Sequence, residues 1–333
     1  MSVSDLTKSF DSGRQSLGTV FGKKSSKIIA LDGVSFSVNQ GQIVGVVGES
    51  GSGKSTLAKC LIRLIEPDSG SVFFRSKDVL RLRGRELTAT RRAMQMIYQD
   101  PYSSLNPIMS VGTAINEAAR LDGKLTRQED HARLEDLLKM VGLSPKLAAS
   151  RPRELSGGQR QRVAIARAMA VRPELLLADE AVSALDVSIQ AQILNLFAGL
   201  RDDSGVAIVF ISHDLSVVAY IADVVMVMYL GAVMETGPTD EIFATPGHPY
   251  TAALLGAQPG RHRRRRSEKP VLEGEIPSAM NIPTGCRFRT RCPLAQDICK
   301  EIAPPPVNVG EGHTAWCHFA GDVASGQSHL GVD

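Results

Sequence analysis

A stretch of nine residues, GESGSGKST at positions 48–56, constrains the fold of this chain more than any other feature. Before it, residues 42–47 form a short β-branched run closed by Gly48, which reads as a buried parallel strand. After it, residues 54–65 place Leu57, Leu61, Ile62, Leu64 and Ile65 on one helical face until Pro67 stops the run. In a strand-to-helix turn, Gly48, Gly51 and Gly53 let the backbone curl so that its N–H groups converge on a polyphosphate at the positive end of the helix dipole. Lys54 then reaches the β- and γ-phosphates and the Ser55 hydroxyl ligates Mg²⁺. The alternative is a glycine-rich turn with a capping serine; the agreement of strand, G-x4-G-K-S and helix favours the phosphate loop.

The 333 residues suffice for about two domains. A net charge of +3 argues for no nucleic-acid partner. No apolar run approaches the roughly 20 residues of a membrane span, and the best, residues 224–230, is strand-sized. The N-terminal MSVSDLTKSF has no secretory apolar core. The expected location is cytosolic, with any membrane role peripheral. Of five cysteines, Cys60 lies alone in the helix after the loop and reads as a small buried residue. Cys286, Cys292, Cys299 and Cys317 crowd the last fifth of the chain, where a reducing compartment argues against disulfides.

Along the chain, residues 34–39 alternate as a half-exposed strand, preceded by a Gly/Ser/Lys-rich segment at 11–27 that reads as a long hairpin loop. Phe10, just upstream, is either a core residue or a plate on which a base stacks. Residues 71–74 and 94–98 read as strands, and 81–92 as a charged surface stretch. From Gln99 to about Arg153 the pattern turns helical, with helices expected at 111–121 and 127–141. A polar turn at Leu155, Ser156, Gly157, Gly158 and Gln159 then feeds a helix. The apolar strand at 175–180 ends in two carboxylates: Asp179 suits Mg²⁺ and Glu180 an attacking water. A helix at 188–200 turns one face inward, and the strand at 206–211 ends at His213, where ligands bind in open α/β sheets.

Taken together these motifs resemble the ATP-binding subunit of an ABC transporter, each once and in order over residues 5–235. By that resemblance, Gly48, Ser50, Gly51, Ser52, Gly53, Lys54, Ser55 and Thr56 belong to the Walker A loop and Gln99 to the Q-loop. Ser156, Gly157, Gly158 and Gln159 match the signature turn, residues 175–180 Walker B, Asp186 the D-loop and His213 the switch histidine. Phe10, or less directly Phe21, takes the place of the A-loop aromatic. The implied fold is α/β: a P-loop core with an antiparallel β subdomain, an inserted all-helical subdomain and a small metal-stapled C-terminal extension. The expected division is 1–98 with 165–235, then 99–164, then 236–333.

The resemblance also implies mechanism. ATP bound to one subunit is closed over by the signature turn of another, whose Ser156, Gly157 and Gly158 amides hold the γ-phosphate. Lys54 and Mg²⁺, the latter held by Ser55, Gln99 and Asp179, offset phosphoryl charge; Glu180 polarises the water and His213 positions it. Ala181 stands where a proline commonly follows the glutamate, which removes no ligand. Residues 98–107, 248–255 and 274–278 resemble the oligopeptide and dipeptide importers, and the last favours the second of their two ATPases. The implied partners are a paralogous ATPase, two membrane permeases and an extracytoplasmic peptide-binding protein, with no nucleic acid. Nickel and glutathione importers are related.

The tail runs C-x5-C-x6-C-x17-C, with His313 and His318 beside the last cysteine. Four thiols in a segment with little apolar sequence suggest a metal staple. Zinc is the generic reading, although the spacings exceed paired C-x2-C knuckles and also suit iron–sulfur ligation. Resemblance to the peptide-importer tail favours a [4Fe–4S] cluster over zinc, with unliganded cysteines the remaining alternative. The basic run Arg261, His262, Arg263, Arg264, Arg265 and Arg266 reads as a solvated linker or as a contact with anionic lipid. Two rival functions are a soluble ABC protein acting on nucleic acid or ribosomes, and a non-hydrolysing regulatory subunit. The single cassette argues against the first, and Glu180 with His213 against the second.

Overall fold

The computed structural model describes residues 1–11, 27–100, 104–123, 126–257, 275 and 277–325. The segment expected as a hairpin loop, the alternative aromatic Phe21 and the basic run at 261–266 lie largely or wholly outside the described residues. In chain order the strands are β1 (Ser2–Asp11), β2 (Lys27–Ser37), β3 (Ile43–Val47), β4 (Ser69–Phe74), β5 (Lys77–Asp78) and β6 (Met94–Ile97). There follow β7 (Leu175–Asp179), β8 (Ala207–Ser212), β9 (Val224–Tyr229), β10 (Ala232–Pro238), β11 (Val307–Gly310) and β12 (His313–Ala315). The chain forms two compact units: Met1 with Val38–Val44 and Phe73–Ser212, and Ser2–Ser37 with Gly45–Val72 and His213–Asp333.

In the first unit β6, β7 and β8 are parallel, with Met94 opposite Leu175 and Leu175 opposite Ala207. Leu175, Leu176, Leu177 and Ala178 are fully buried, which is what covering both faces of a parallel sheet demands. Burying each leucine contributes roughly 1.5–3 kcal/mol. Phe197 meets Phe210 edge to face at 5.6 Å and fastens the helix Val187–Ser204 onto β8.

Between β6 and β7 the described residues form helices and no strand: Val111–Ala119, Arg127–Met140 and Gly157–Met169, joined by 3₁₀ turns. The first ends two residues earlier than its apolar pattern, because Arg120–Asp122 tightens into a 3₁₀ turn and Leu121 is exposed. The second starts with a capping box between Thr126 and Glu129, a device that contributes about 1 kcal/mol. The charged stretch before β6 is also a helix, Gly84–Ala93, whose buried residue is Ala93.

In the second unit β1 pairs antiparallel with β2, giving the antiparallel element that the sequence implied. The helix after the loop spans Lys54–Leu61, shorter than expected. Arg63 adopts a positive φ of 55° and Leu64 is exposed, so the apolar face does not continue to Ile65.

The tail builds more ordinary structure than its composition suggested. β12 pairs antiparallel with β10, Glu235 opposite Ala315, and β11 pairs with β12. Phe288 is fully buried among Tyr229, Tyr250 and His248, with ring centroids 5.2–5.8 Å away. Thus the extension packs as a hydrophobic and β-paired layer within its own unit. No helix among the described residues is long and apolar enough to cross a membrane.

Candidate nucleotide site and cysteine tail

The loop leaves β3 at Gly48 and enters the helix Lys54–Leu61 at Lys54. Gly48 has φ 152° and Gly53 φ 102°, and a Cβ on either would collide with a backbone carbonyl, of Met228 and Ala30 respectively. Only glycine fits both the turn and its close neighbours. The Lys54 ammonium is buried and donates to the carbonyls of Gly48 at 2.7 Å and Glu49 at 2.9 Å, and to Ser52 Oγ at 3.4 Å. The ammonium is thus held among loop oxygens at a helix start, where the positive end of the helix dipole also favours an anion. Ser52 is buried, Ser50 and Gly51 lie on the loop, and Ser55 and Thr56 are half-buried in the first helical turn.

Asp179 ends β7, 7% exposed, and Glu180 follows it with φ 48°. A non-glycine residue in left-handed backbone is strained. Its amide is nevertheless satisfied by the Ile211 carbonyl at 3.0 Å, and its own carbonyl accepts from the Ser183 amide at 3.1 Å. The parallel register sets Ile97 opposite Ala178, so two residues further on Gln99 comes opposite Glu180. Gln99 Nε2 donates to Glu180 Oε2 at 3.0 Å.

Ser156 caps the helix Gly157–Met169: its Oγ accepts from the Gln159 amide at 3.3 Å, and Gln159 Oε1 accepts from the Ser156 amide at 3.0 Å. Ser156 and Gly157 are exposed, so the cap presents a helix N-terminus outward. Gly158 is buried, and a side chain there would strike Ile189. Asp186 is exposed at the start of the helix Val187–Ser204 without a side-chain cap bond. His213 is exposed just beyond β8, and Phe10, on β1, is 37% exposed with Lys8 Nζ 5.3 Å from its ring centroid. That exposure removes the core reading of Phe10.

In the tail, Cys286, Cys299 and Cys317 are buried and Cys292 is half-buried, all as free thiols. The Cys286 amide donates to the Cys299 carbonyl at 2.8 Å. Burial pushes the Cys292 thiol up to about 12 and Cys317 up to about 11, and neighbouring cysteines add to both shifts. The expected ligand set of Cys286, Cys292, Cys299 and Cys317 is therefore gathered into one region but not closed into a cage. Among the described residues no group of three or more His, Cys, Asp or Glu side chains is arranged to hold a metal ion. His313 is directed elsewhere, its Nε2 2.7 Å from Oε1 of the fully buried Glu235.

Several residues escaped the sequence reading. Glu235 also accepts from the amides of Gly247 at 2.5 Å and His248 at 3.1 Å, which a carboxylate inside an apolar strand does not advertise. Arg291 donates to both carboxylate oxygens of Glu49 at 2.7 and 3.0 Å, and the Glu49 amide donates to Tyr250 Oη at 3.0 Å. The available signals were an arginine beside Cys292 and a tyrosine in the 248–255 motif, neither tied to the loop by spacing.

A glycine-shaped loop around a buried lysine, and a parallel strand ending in Asp179 and Glu180, define the chemistry of a nucleoside triphosphatase. Residues 31–183 match the profile of the ABC transporter family, and residues 234–299 that of the oligopeptide/dipeptide transporter C-terminal region. A probable peptide ABC transporter ATP-binding protein, y4tS of Sinorhizobium fredii, is 51% identical over 89% of this chain and 84% of its own length. The oligopeptide transport ATP-binding protein AppF of Bacillus subtilis is 46% identical over 90% of this chain and 92% of its own. Among solved structures, the dimeric post-hydrolysis state of the ATP-binding cassette MJ0796 bound to ADP and Pi superposes with a TM-score of 0.63 at 29% identity. It covers 72% of this chain and 98% of that one. The chain belongs to the ATP-binding subunits of ABC transporters, with the C-terminal region of the oligopeptide/dipeptide branch. It is an ATP hydrolase of that type.

Proposed function

We propose that this chain powers the import of di- or oligopeptides across the cytoplasmic membrane, from its cytoplasmic face, as one of two paralogous ATPases in a head-to-tail dimer. Two permease subunits and an extracytoplasmic peptide-binding protein complete the assembly. The observation that carries the catalytic part is Glu180, strained at the end of β7 and hydrogen-bonded to Gln99. The peptide substrate rests on the match of residues 234–299 and on the names of the relatives.

In this reading Gly48, Ser50, Gly51, Ser52, Gly53, Lys54, Ser55 and Thr56 cradle the ATP phosphates, with Phe10 against the base. Ser55, Gln99 and Asp179 are the Mg²⁺ ligands that the family resemblance assigns, and the buried ammonium and carboxylate suit a polyphosphate and its cation. The bound metal supplies positive charge against the transferring phosphoryl group. Glu180 accepts a hydrogen bond from the attacking water and aligns it, and His213 orients that water against the γ-phosphate. Gln99, bonded to Glu180, reports the state of the site to the helices that follow it. Ser156, Gly157, Gly158 and Gln159 cover the nucleotide of the partner subunit, with Asp186 beside them. The functional division is 1–98 with 165–235 for ATP, 99–164 for the signature helices and 236–333 for the extension.

The cysteine tail is proposed as a site for a [4Fe–4S] cluster, or alternatively zinc. Its support is the four-thiol spacing and the influence that Cys286 and Cys299 exert on both Cys292 and Cys317. Cys286, Cys292, Cys299 and Cys317 would hold either group as thiolates, and because burial opposes that form, binding would release their protons. Iron and zinc analysis of anaerobically purified protein tests this part; a metal-free, fully folded and active protein would remove it.

The whole reading is tested by rebuilding the transporter in vesicles from the neighbouring permease genes. ATP-dependent accumulation of a labelled peptide is expected, and its loss with Glu180→Gln. Uptake that continues at the full rate in that variant would overturn the assignment.

A further inference from the structure

The tail segment between Cys286 and Cys292 contacts the phosphate loop by two routes. Arg291, with a side chain 5% exposed, makes the two-pronged ion pair with Glu49, the residue directly after Gly48. Its guanidinium also lies 5.9 Å from the Tyr229 ring centroid. The Glu49 amide is held by Tyr250 Oη, and the Glu49 carbonyl is one of the oxygens that hold Lys54. By the second route, Arg287 donates to the Leu230 carbonyl and to Asp32. Leu230 and Gly231 form the turn between β9 and β10, both with positive φ, and the Gly231 amide donates to the Ser52 carbonyl at 3.0 Å. The Gly231 carbonyl in turn accepts from the Asp32 amide at 2.8 Å.

Such contacts differ from generic surface ion pairs. A bidentate guanidinium–carboxylate pair fixes both distance and angle, and at 5% exposure an unpaired arginine is costly. The arginines are held in turn by a short local fold: the Arg289 amide donates to the Cys286 carbonyl at 3.2 Å, and the Arg291 amide to the Phe288 carbonyl at 3.0 Å. Phe288 fills the space under Tyr229 and Tyr250. Rigid packing therefore ends in charged groups that touch the loop at Glu49 and, through one turn, at Ser52.

We propose that the segment 286–292 is a positioning element for the phosphate loop, with Arg291 acting through Glu49 and Arg287 through the Leu230–Gly231 turn. This rests on the reading of residues 48–56 as the ATP-phosphate site. Neither arginine touches nucleotide. Each sets the carbonyls and amides between which Lys54 and the phosphates must fit, so that the C-terminal extension becomes part of the apparatus for binding ATP.

The test is a double-mutant cycle on the full chain, titrating a fluorescent ATP analogue with Mg²⁺ into wild type, Arg291→Met, Glu49→Ala and the double variant. Each single change is expected to raise Kd about tenfold, with the double no weaker than the worse single. Arg291→Lys should restore part of the affinity, which a purely structural loss would not require. Thermal melts on the same samples separate unfolding from weakened binding. If Arg291→Met does not fold, Glu49→Ala and Arg291→Lys carry the comparison. Unchanged Kd in folded Glu49→Ala, additive losses in the cycle, or no recovery with lysine would each overturn the proposal. A Lys54→Ala control distinguishes the underlying reading: if that variant still binds the analogue as wild type, it is the phosphate site itself that is wrong.

Discussion

Gln99 donates its side-chain amide to the Glu180 carboxylate at 3.0 Å, because the parallel register of β6 on β7 brings the two residues level just past the strand ends. The neutral amide can donate without protonating its partner. Glu180 is thereby aimed while remaining an acceptor, which is the state a water-aligning carboxylate needs.

Replacing Glu180 with glutamine keeps the size and the contact with Gln99 but removes the acceptor charge. ATP turnover is expected to fall at least about a hundredfold while affinity stays within a few-fold. With ATP present, the closed dimer should accumulate in size-exclusion chromatography. Turnover near the wild-type rate would remove Glu180 from the chemistry.

His213→Ala is expected to slow hydrolysis far more than it weakens nucleotide binding. His213 is exposed beyond β8, so the fold should be little affected. Parallel measurement of kcat and of analogue Kd checks this, and equal losses in both would argue for a binding role instead.

Lys54→Ala removes the ammonium that bridges the Gly48 and Glu49 carbonyls. Analogue binding is expected to drop below detection at concentrations that saturate wild type, since the phosphates lose their charged partner. The melting temperature should fall as well, because the Gly48 carbonyl loses this donor at a cost of about 1–3 kcal/mol, while the Glu49 carbonyl keeps the Ser52 amide at 3.2 Å.

His248 is fully buried, and burial pulls its imidazole down to about 3 from the ordinary 6.5. The neutral form is the folded form, so the unfolded chain binds the extra proton first as the pH falls. Stability from this group is complete above about 6.5 and drains away between there and about 3, by up to roughly 1.4 kcal/mol per pH unit. Urea midpoints measured from pH 7.5 to 5 should decline accordingly. His248→Asn keeps an acceptor for the Tyr250 amide, now held at 3.0 Å, and should flatten that part of the slope. An unchanged slope would show that another group carries it.

Much of the local geometry at the candidate site was legible because it is set by adjacent residues. A glycine demanded by positive φ, a lysine after it, an apolar strand closing in two acids and a capping serine three residues before its glutamine partner each occupy a few consecutive positions. The elements that misled were those whose ends depend on neighbours. The helix after the loop stops at Leu61 although its apolar pattern runs on to Ile65, and the charged stretch at 81–92 proved to be a helix from Gly84 to Ala93. By composition the tail is too poor in apolar residues for a core of its own. Yet Phe288, Ala315 and Ala320 are buried, because strands and rings from far upstream complete a core that the segment lacks alone.

What residues 48–56 determined by themselves was a glycine turn from a strand into a helix, since glycine conformations and a helix start are properties of adjacent residues. What only the tertiary structure decided was which groups hold that turn. Glu49 meets Arg291 from 242 positions away and Tyr250 from 201. Gln99 meets Glu180 through a strand register that no spacing encodes. Contacts across such separations follow from how strands pair and cores fill, and those are settled only when the whole chain has packed.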